Sequence, residues 1–265
     1  KGDMANGKSA KRQRQKEQKQ AKIEEQNRII AARRRRVMTI NLTLLAVVVG
    51  VIGFLLFNQS AKKKAGSETE TAVTLNERCK GTPDAGTSAA VAPPGKLRID
   101  LTKTYKAIVE TNKGTMTFTL DAKTSPCTVN SFVYLARKKF FDGTVFHRLV
   151  KGFALQGGDP LGNGSGGPGY KVVDKPPAGF KYVKGVVAMA KTGAEADGTS
   201  GSQFFIVPGD GASTLPAQYA VLGRVTGGQD VVAAIDDLPT EDNGQGEKSK
   251  PTVEVRIIKV TIKES

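Results

Sequence analysis

Residues 37–57, VMTINLTLLAVVVGVIGFLLF, carry no charged side chain, in a chain of 265 residues of which 25% are charged. As a helix rising ~1.5 Å per residue the run spans about 31 Å, close to one hydrocarbon core. Three readings compete: a retained membrane anchor, a cleaved signal peptide and a buried core helix. The highly charged flanks argue against the core helix. A signal peptide would have shorter charged and apolar regions, and FNQSA is a poor cleavage site. The expected element is therefore a single-pass signal-anchor helix over 37–57. Arg33, Arg34, Arg35 and Arg36 abut its start, whereas only Lys62, Lys63 and Lys64 follow its end. The positive-inside rule then places the N-terminus in the cytoplasm and everything after about Asn58 outside the cell membrane.

The formal net charge of +15 invites a nucleic-acid reading, but its location weakens that reading. Residues 1–36 hold 13 Lys/Arg against 4 Asp/Glu, whereas residues 96–265 hold 22 against 17. The charge is chiefly that of a basic cytoplasmic tail, 1–36, for which a role in topology suffices. A scaffold role, with the tail on lipid, nucleic acid or a cytoplasmic protein, is the alternative. Nucleic acid is not an expected partner. Residues 58–104 are rich in small and polar residues and read as a flexible linker. Cys79 lies within it, and Cys127 is the only other cysteine. The two would form a disulfide in an oxidising compartment; otherwise they remain thiols, or Cys79 pairs between molecules. With two cysteines, one histidine and no CxxC, no metal site is expected.

The pattern changes at Tyr105. YKAIVETNKGTMTFTL alternates about Asn112-Lys113-Gly114 and predicts two strands joined by a tight turn. Pro126 sits in the first turn of a helix whose face is Val129, Phe132, Val133, Leu135 and Ala136. Short β-rich runs follow, VFHRLV, GVVAMA, QFFIVP, YAVLGRV and TVEVRIIKVTI, with a second helix over Gln229–Asp237. Many strands and two helices suggest a closed antiparallel barrel capped at its ends. Covalent chemistry finds little support. His147 is the only candidate base and no G-x-S-x-G elbow is present. The G-x-G-x-x-G match at 162–167 is followed by Pro168 rather than a helix. No paired carboxylates stand out. A cluster of Phe, Gln and one Arg suits a peptide-binding pocket instead.

The stretch FDGTVFHRLVKGFALQGGD at 141–159 resembles the cyclophilin signature. VVAMAK (186–191), GSQFFI (201–206) and AVLGRV (220–225) follow in the family's order. The resemblance covers about Tyr105 to Ile262 and is closest to a membrane-anchored, actinobacterial-like bacterial form. It implies a closed eight-stranded antiparallel barrel with two capping helices over 105–265. The activity it implies is cofactor-free peptidyl-prolyl cis-trans isomerisation of proline-containing polypeptides, here exported or unfolded ones. By the same resemblance Arg148 is the donor to the twisted amide, Gln156 binds substrate backbone, and Phe153 and Phe205 wall the proline pocket. Ala190, Gln203 and Leu215 match the peptide groove, and His147 is structural. Ala154 replaces the family's pocket methionine and should leave the pocket roomier. Tyr219 stands where a histidine is familiar, and Thr214 where a tryptophan is. These departures leave a second reading open: a low-activity module that holds X-Pro peptides as a chaperone. The chain is expected to act as a monomer.

Overall fold

A computed structural model describes residues 72–84 and 91–265. The basic tail, the apolar run 37–57 and the first part of the linker lie outside the described residues. Among the described residues no helix is long and apolar enough to cross a membrane.

Alternation builds the first hairpin. In β1 (Tyr105–Thr111), Tyr105, Ala107, Val109 and Thr111 are buried in turn; in β2 (Gly114–Leu120), Met116, Phe118 and Leu120 are. Their register runs from Tyr105 opposite Leu120 to Thr111 opposite Gly114. The turn is held by Thr111, whose hydroxyl donates to the Gly114 carbonyl at 2.7 Å and accepts from the Lys113 amide at 3.0 Å. Gly114 has φ +129°, and a Cβ there would stand 2.6 Å from Val231, so both backbone and space call for glycine.

The remaining strands of the main sheet are β3 (Arg148–Val150), β4 (Ala154–Gly157), β5 (Val186–Met189), β6 (Phe204–Ile206), β7 (Val221–Gly227) and β8 (Ile257–Glu264). They form one curled antiparallel sheet in the order β8-β1-β2-β7-β5-β6-β4-β3. The expected barrel is thus eight-stranded and antiparallel, but its ladder is open between β3 and β8. Residues 143–146 span the gap. Val145 bridges to Arg256 and to Asp159, and the Phe146 amide donates to the Val255 carbonyl at 2.9 Å. The ladder stops there because residues 143–146 meet 255–257 in isolated bridges, with the Gly143 amide donating to the Ile257 carbonyl at 2.8 Å, instead of joining β3 to β8.

The helices number three among the described residues, where two are expected. Besides α2 (Pro126–Arg137) and α3 (Gln229–Asp236), α1 (Ala72–Arg78) lies in the stretch read as linker. The described part of that stretch packs as one compact unit with the sheet. Cys79 is disulfide-bonded to Cys127 on α2. Leu75, Cys79 and Ile99 are buried in the main core. Thr82–Pro83 pairs with Tyr170–Lys171. Asn130 fastens the rest, accepting from the Arg98 amide at 2.6 Å and donating to the Lys96 carbonyl at 3.0 Å. A low-complexity composition does not forbid this, because the disulfide and a few apolar side chains supply what local propensity lacks.

The core is split by the sheet. Inside, the Phe204 ring is met edge-on by Phe118, Phe132, Phe141 and Phe146 at centroid distances of 5.9–6.1 Å. Outside, Phe205, Val186 and Ala188 belong to a second apolar cluster with Ala154 and Tyr182. β5 and β6 are therefore buried on both faces, and successive residues serve different cores.

Candidate active site

Strand register assembles the site. Arg148 on β3 stands opposite Gln156 on β4. Gln156 stands opposite Phe205 on β6, and Phe205 opposite Ala188 on β5. Directly opposed residues in antiparallel strands share a face, so Arg148, Gln156 and Phe205 form one row across the outer surface. Phe153 comes from the turn before β4, where its amide donates to the Val150 carbonyl at 2.9 Å. Tyr219 meets Phe205 edge-on, with centroids 5.5 Å apart. The Tyr182 hydroxyl holds Tyr219 in place, donating to its carbonyl at 2.7 Å and accepting from its amide at 2.8 Å.

Arg148, Phe153, Gln156, Phe205 and Tyr219 line a hollow of about 290 Å³, with Ala154, Ala190, Lys191 and Leu215 completing its walls. Every site residue expected from the sequence lines it except Gln203. Gln203 lies behind Gln156 and borders a second hollow of about 390 Å³, which shares Gln156, Ala190 and Lys191 with the first. Lys171 also borders the second hollow, paired to Glu195 at 2.9 Å and reached by Asp84 at 3.5 Å.

A chain of hydrogen bonds orders the polar side of the first hollow. Arg148 donates from Nε and Nη2 to the two carboxylate oxygens of Glu247, each at 2.7 Å. Its Nη1 reaches Gln156 Oε1 at 3.4 Å, and its guanidinium carbon lies 5.9 Å from the Phe153 ring centroid. Gln156 Nε2 donates to Gln203 Oε1 at 3.0 Å. Gln203 Nε2 in turn donates to the carbonyls of Gly164 and Gly166 at 2.9 and 2.8 Å. The loop bearing those carbonyls is wound about the buried Asp159, which accepts from the amides of Leu161, Asn163 and Gly164. At Gly166 a Cβ would fall 2.0 Å from Asp159 Oδ1, so no side chain fits there.

Glu247 and the loop carbonyls carried no signal in the sequence. Glu247 stands 99 residues from Arg148 and only the folded chain brings them together. The Arg148 guanidinium holds the Glu247 carboxyl below the usual glutamate range, so the pair is charged at neutrality. Burial pushes the His147 imidazole below its ordinary value. Lys191 packs its ammonium 5.6 Å from the Tyr219 ring centroid and donates to the carbonyls of Thr192 and Glu195. Among the described residues no cluster of His, Cys, Asp or Glu could hold a metal ion. The hollow presents an apolar bed and one oriented guanidinium. That arrangement can bind a peptide and polarise it, and needs no nucleophile.

A model of the family "Cyclophilin type peptidyl-prolyl cis-trans isomerase/CLD" matches residues 106–262. The chain is 37% identical over 158 residues to peptidyl-prolyl cis-trans isomerase-like 1 of Neurospora crassa, covering 58% of this chain and 91% of that protein. It is 41% identical over 153 residues to peptidyl-prolyl cis-trans isomerase B of Streptomyces anulatus, covering 51% and 85%. A probable peptidyl-prolyl cis-trans isomerase B of Mycobacterium tuberculosis is 38% identical over 184 residues, covering 63% of this chain and 57% of that one. Among solved structures, a cyclophilin type peptidyl-prolyl cis-trans isomerase of Cryptosporidium parvum superposes with a TM-score of 0.55 at 30% identity. It covers 60% of this chain and 98% of that one.

Proposed function

The chain belongs to the cyclophilin-type peptidyl-prolyl cis-trans isomerases, and on that premise we propose how its groove turns an X-Pro bond and where it does so. The bond keeps partial double-bond character, with a rotation barrier of ~18–20 kcal/mol. No bond is made or broken in crossing it, so the enzyme needs only to bind the twisted amide better than either planar form. Phe153, Ala154, Phe205 and Leu215 receive the proline ring in the first hollow. As the amide twists, the proline nitrogen regains its lone pair, and Arg148 donates a hydrogen bond to it. A guanidinium cannot lose its proton, so this donor is always armed. Gln156 does two things: it accepts from Arg148, and it is placed by Gln203 to meet the substrate backbone.

The observation that carries this reading is the convergence of Arg148, Gln156, Phe153 and Phe205 on one hollow. It favours turnover over a module that only holds X-Pro peptides. The test is proline-limited refolding in the presence of the full chain. Uncatalysed exchange takes tens to hundreds of seconds, and the full chain should shorten it at substoichiometric amounts. Binding of an X-Pro peptide with no acceleration would contradict the reading.

The setting we propose is the outer face of a cell membrane, in the manner of a membrane-anchored, actinobacterial-like form. The apolar run 37–57 would be the anchor and the exported or unfolded chains the substrates. Two observations support it: the basic residues crowd one side of the apolar run, and Cys79 and Cys127 are disulfide-bonded, as proteins in oxidising compartments are. The acting unit is a single chain, because the groove is complete within one copy. Protease added to intact cells should remove the isomerase domain; full protection would contradict the orientation.

A further inference from the structure

The guanidinium that faces the substrate is gripped by a carboxylate from a separate part of the chain. Glu247 sits between two short strands, Thr240–Asp242 and Lys248–Pro251, which pair with each other and with no strand of the main sheet. The connection between them is tightly ordered. The Asn243 amide donates to the Glu247 carbonyl at 2.9 Å, and Asn243 Oδ1 accepts from the Gln245 amide at 2.8 Å. Lys248–Pro251 packs against β3, and Ser249 is buried there beside Glu247. The hairpin therefore delivers one carboxylate to the strand that bears Arg148, from a braced position.

We propose that Glu247 is a positioning residue for the isomerisation, acting through Arg148. A guanidinium has five N–H groups in a planar fork. Glu247 takes the Nε hydrogen and one on Nη2, which is the side-on edge, and Gln156 takes one on Nη1. One N–H is left on each terminal nitrogen, and these remain available to a twisted amide. A bidentate carboxylate fixes a guanidinium in plane and rotation more firmly than a single contact. Without it the side chain, 29% exposed, could rotate and present any edge. Since the barrier falls only if the donor already points at the developing lone pair, loss of Glu247 should act on turnover more than on binding.

This inference rests on the isomerase reading, and its test separates the two. In the full chain, Glu247→Ala should lower kcat/KM roughly tenfold, mainly in kcat, with KM nearly unchanged. Glu247→Gln keeps one acceptor oxygen and should lose less. In an Arg148→Ala background Glu247→Ala should cause no further loss, because the two act as one unit. With arginine labelled in nitrogen-15, the Arg148 Nε–H resonance should be shifted and slow to exchange in the native chain, and should lose both properties in Glu247→Ala. The backbone amide spectrum of the sheet should stay the same. An inactive native chain would overturn the isomerase reading. An active native chain whose Glu247→Ala and Glu247→Gln variants keep full kcat would overturn only the role of Glu247. So would a gain in kcat, or a further loss in the Arg148→Ala background.

Discussion

The groove and the N-terminal extension are fastened to the same sheet by different bonds. In the groove, Glu247, Arg148, Gln156, Gln203 and the 164–166 carbonyls hold one another in series. In the extension, a covalent bond from Cys79 to Cys127 and the buried Leu75 and Ile99 hold residues 72–84 and 91–104. A series of hydrogen bonds sets direction, and each link adds only about 1 kcal/mol of net stability. A disulfide sets little direction but removes freedom from the unfolded chain. Closing a separation of 48 residues is worth about 4 kcal/mol on the chain-entropy estimate. Damage to the first region should thus appear in turnover, and damage to the second in stability.

The sharpest way to break this contrast is to remove the disulfide. The paired change Cys79→Ser and Cys127→Ser should lower unfolding free energy by about 4 kcal/mol in denaturant titration, while the folded protein keeps its kcat/KM. A loss of kcat/KM in the folded protein would mean that the extension shapes the groove, a route that Asp84 and Lys171 at the second hollow would supply. Next in size, Gln203→Ala cuts the link between Gln156 and the loop carbonyls. It should cost about 1.4 kcal/mol of transition-state stabilisation, a tenfold fall in kcat/KM, with little change in thermal midpoint. Arg78→Ala removes an ion pair to the buried Asp174, which still accepts from the Thr128 amide at 2.7 Å. About 1 kcal/mol of stability should be lost, with activity intact.

The smallest effect is the response to pH. Arg148 holds the Glu247 carboxyl below its ordinary value, so their pairing is complete above the usual glutamate range and is lost only as pH falls through the lowered value. Burial keeps the neighbouring His147 neutral. The profile of kcat/KM should therefore be level through neutrality and fall only in acid. A step below the ordinary histidine value but above the glutamate range would show that His147 takes part.

How far the sequence could be read follows the same division. The β1–β2 hairpin is legible because its alternation and its Asn112-Lys113 turn are local. Pro126 marks the start of α2 for the same reason. Phe204 and Phe205 are separated by parity, one to each face, which also needs only neighbours. The extension was hidden, because Leu75, Cys79 and Ile99 are too far apart to form a pattern and are buried only by partners on α2 and the sheet. The open ladder between β3 and β8 was hidden too, since it depends on how 143–146 meets 255–257. In the groove, Arg148, Gln156 and Phe153 sit within one motif, whereas Glu247 reaches Arg148 across 99 residues. Local signals reveal the elements and the motif; contacts made only in the folded chain reveal the rest.

In the proposed mechanism Arg148, held in the groove, lowers the barrier to X-Pro rotation. Exchange spectroscopy on a proline peptide, with catalytic amounts of the full chain, measures that rotation directly. The native chain should produce cis–trans exchange peaks on a subsecond timescale, far faster than the uncatalysed tens to hundreds of seconds. Arg148→Ala should slow the catalysed exchange by roughly 100- to 1000-fold while the peptide still binds. Equal exchange rates in the two proteins would contradict the account.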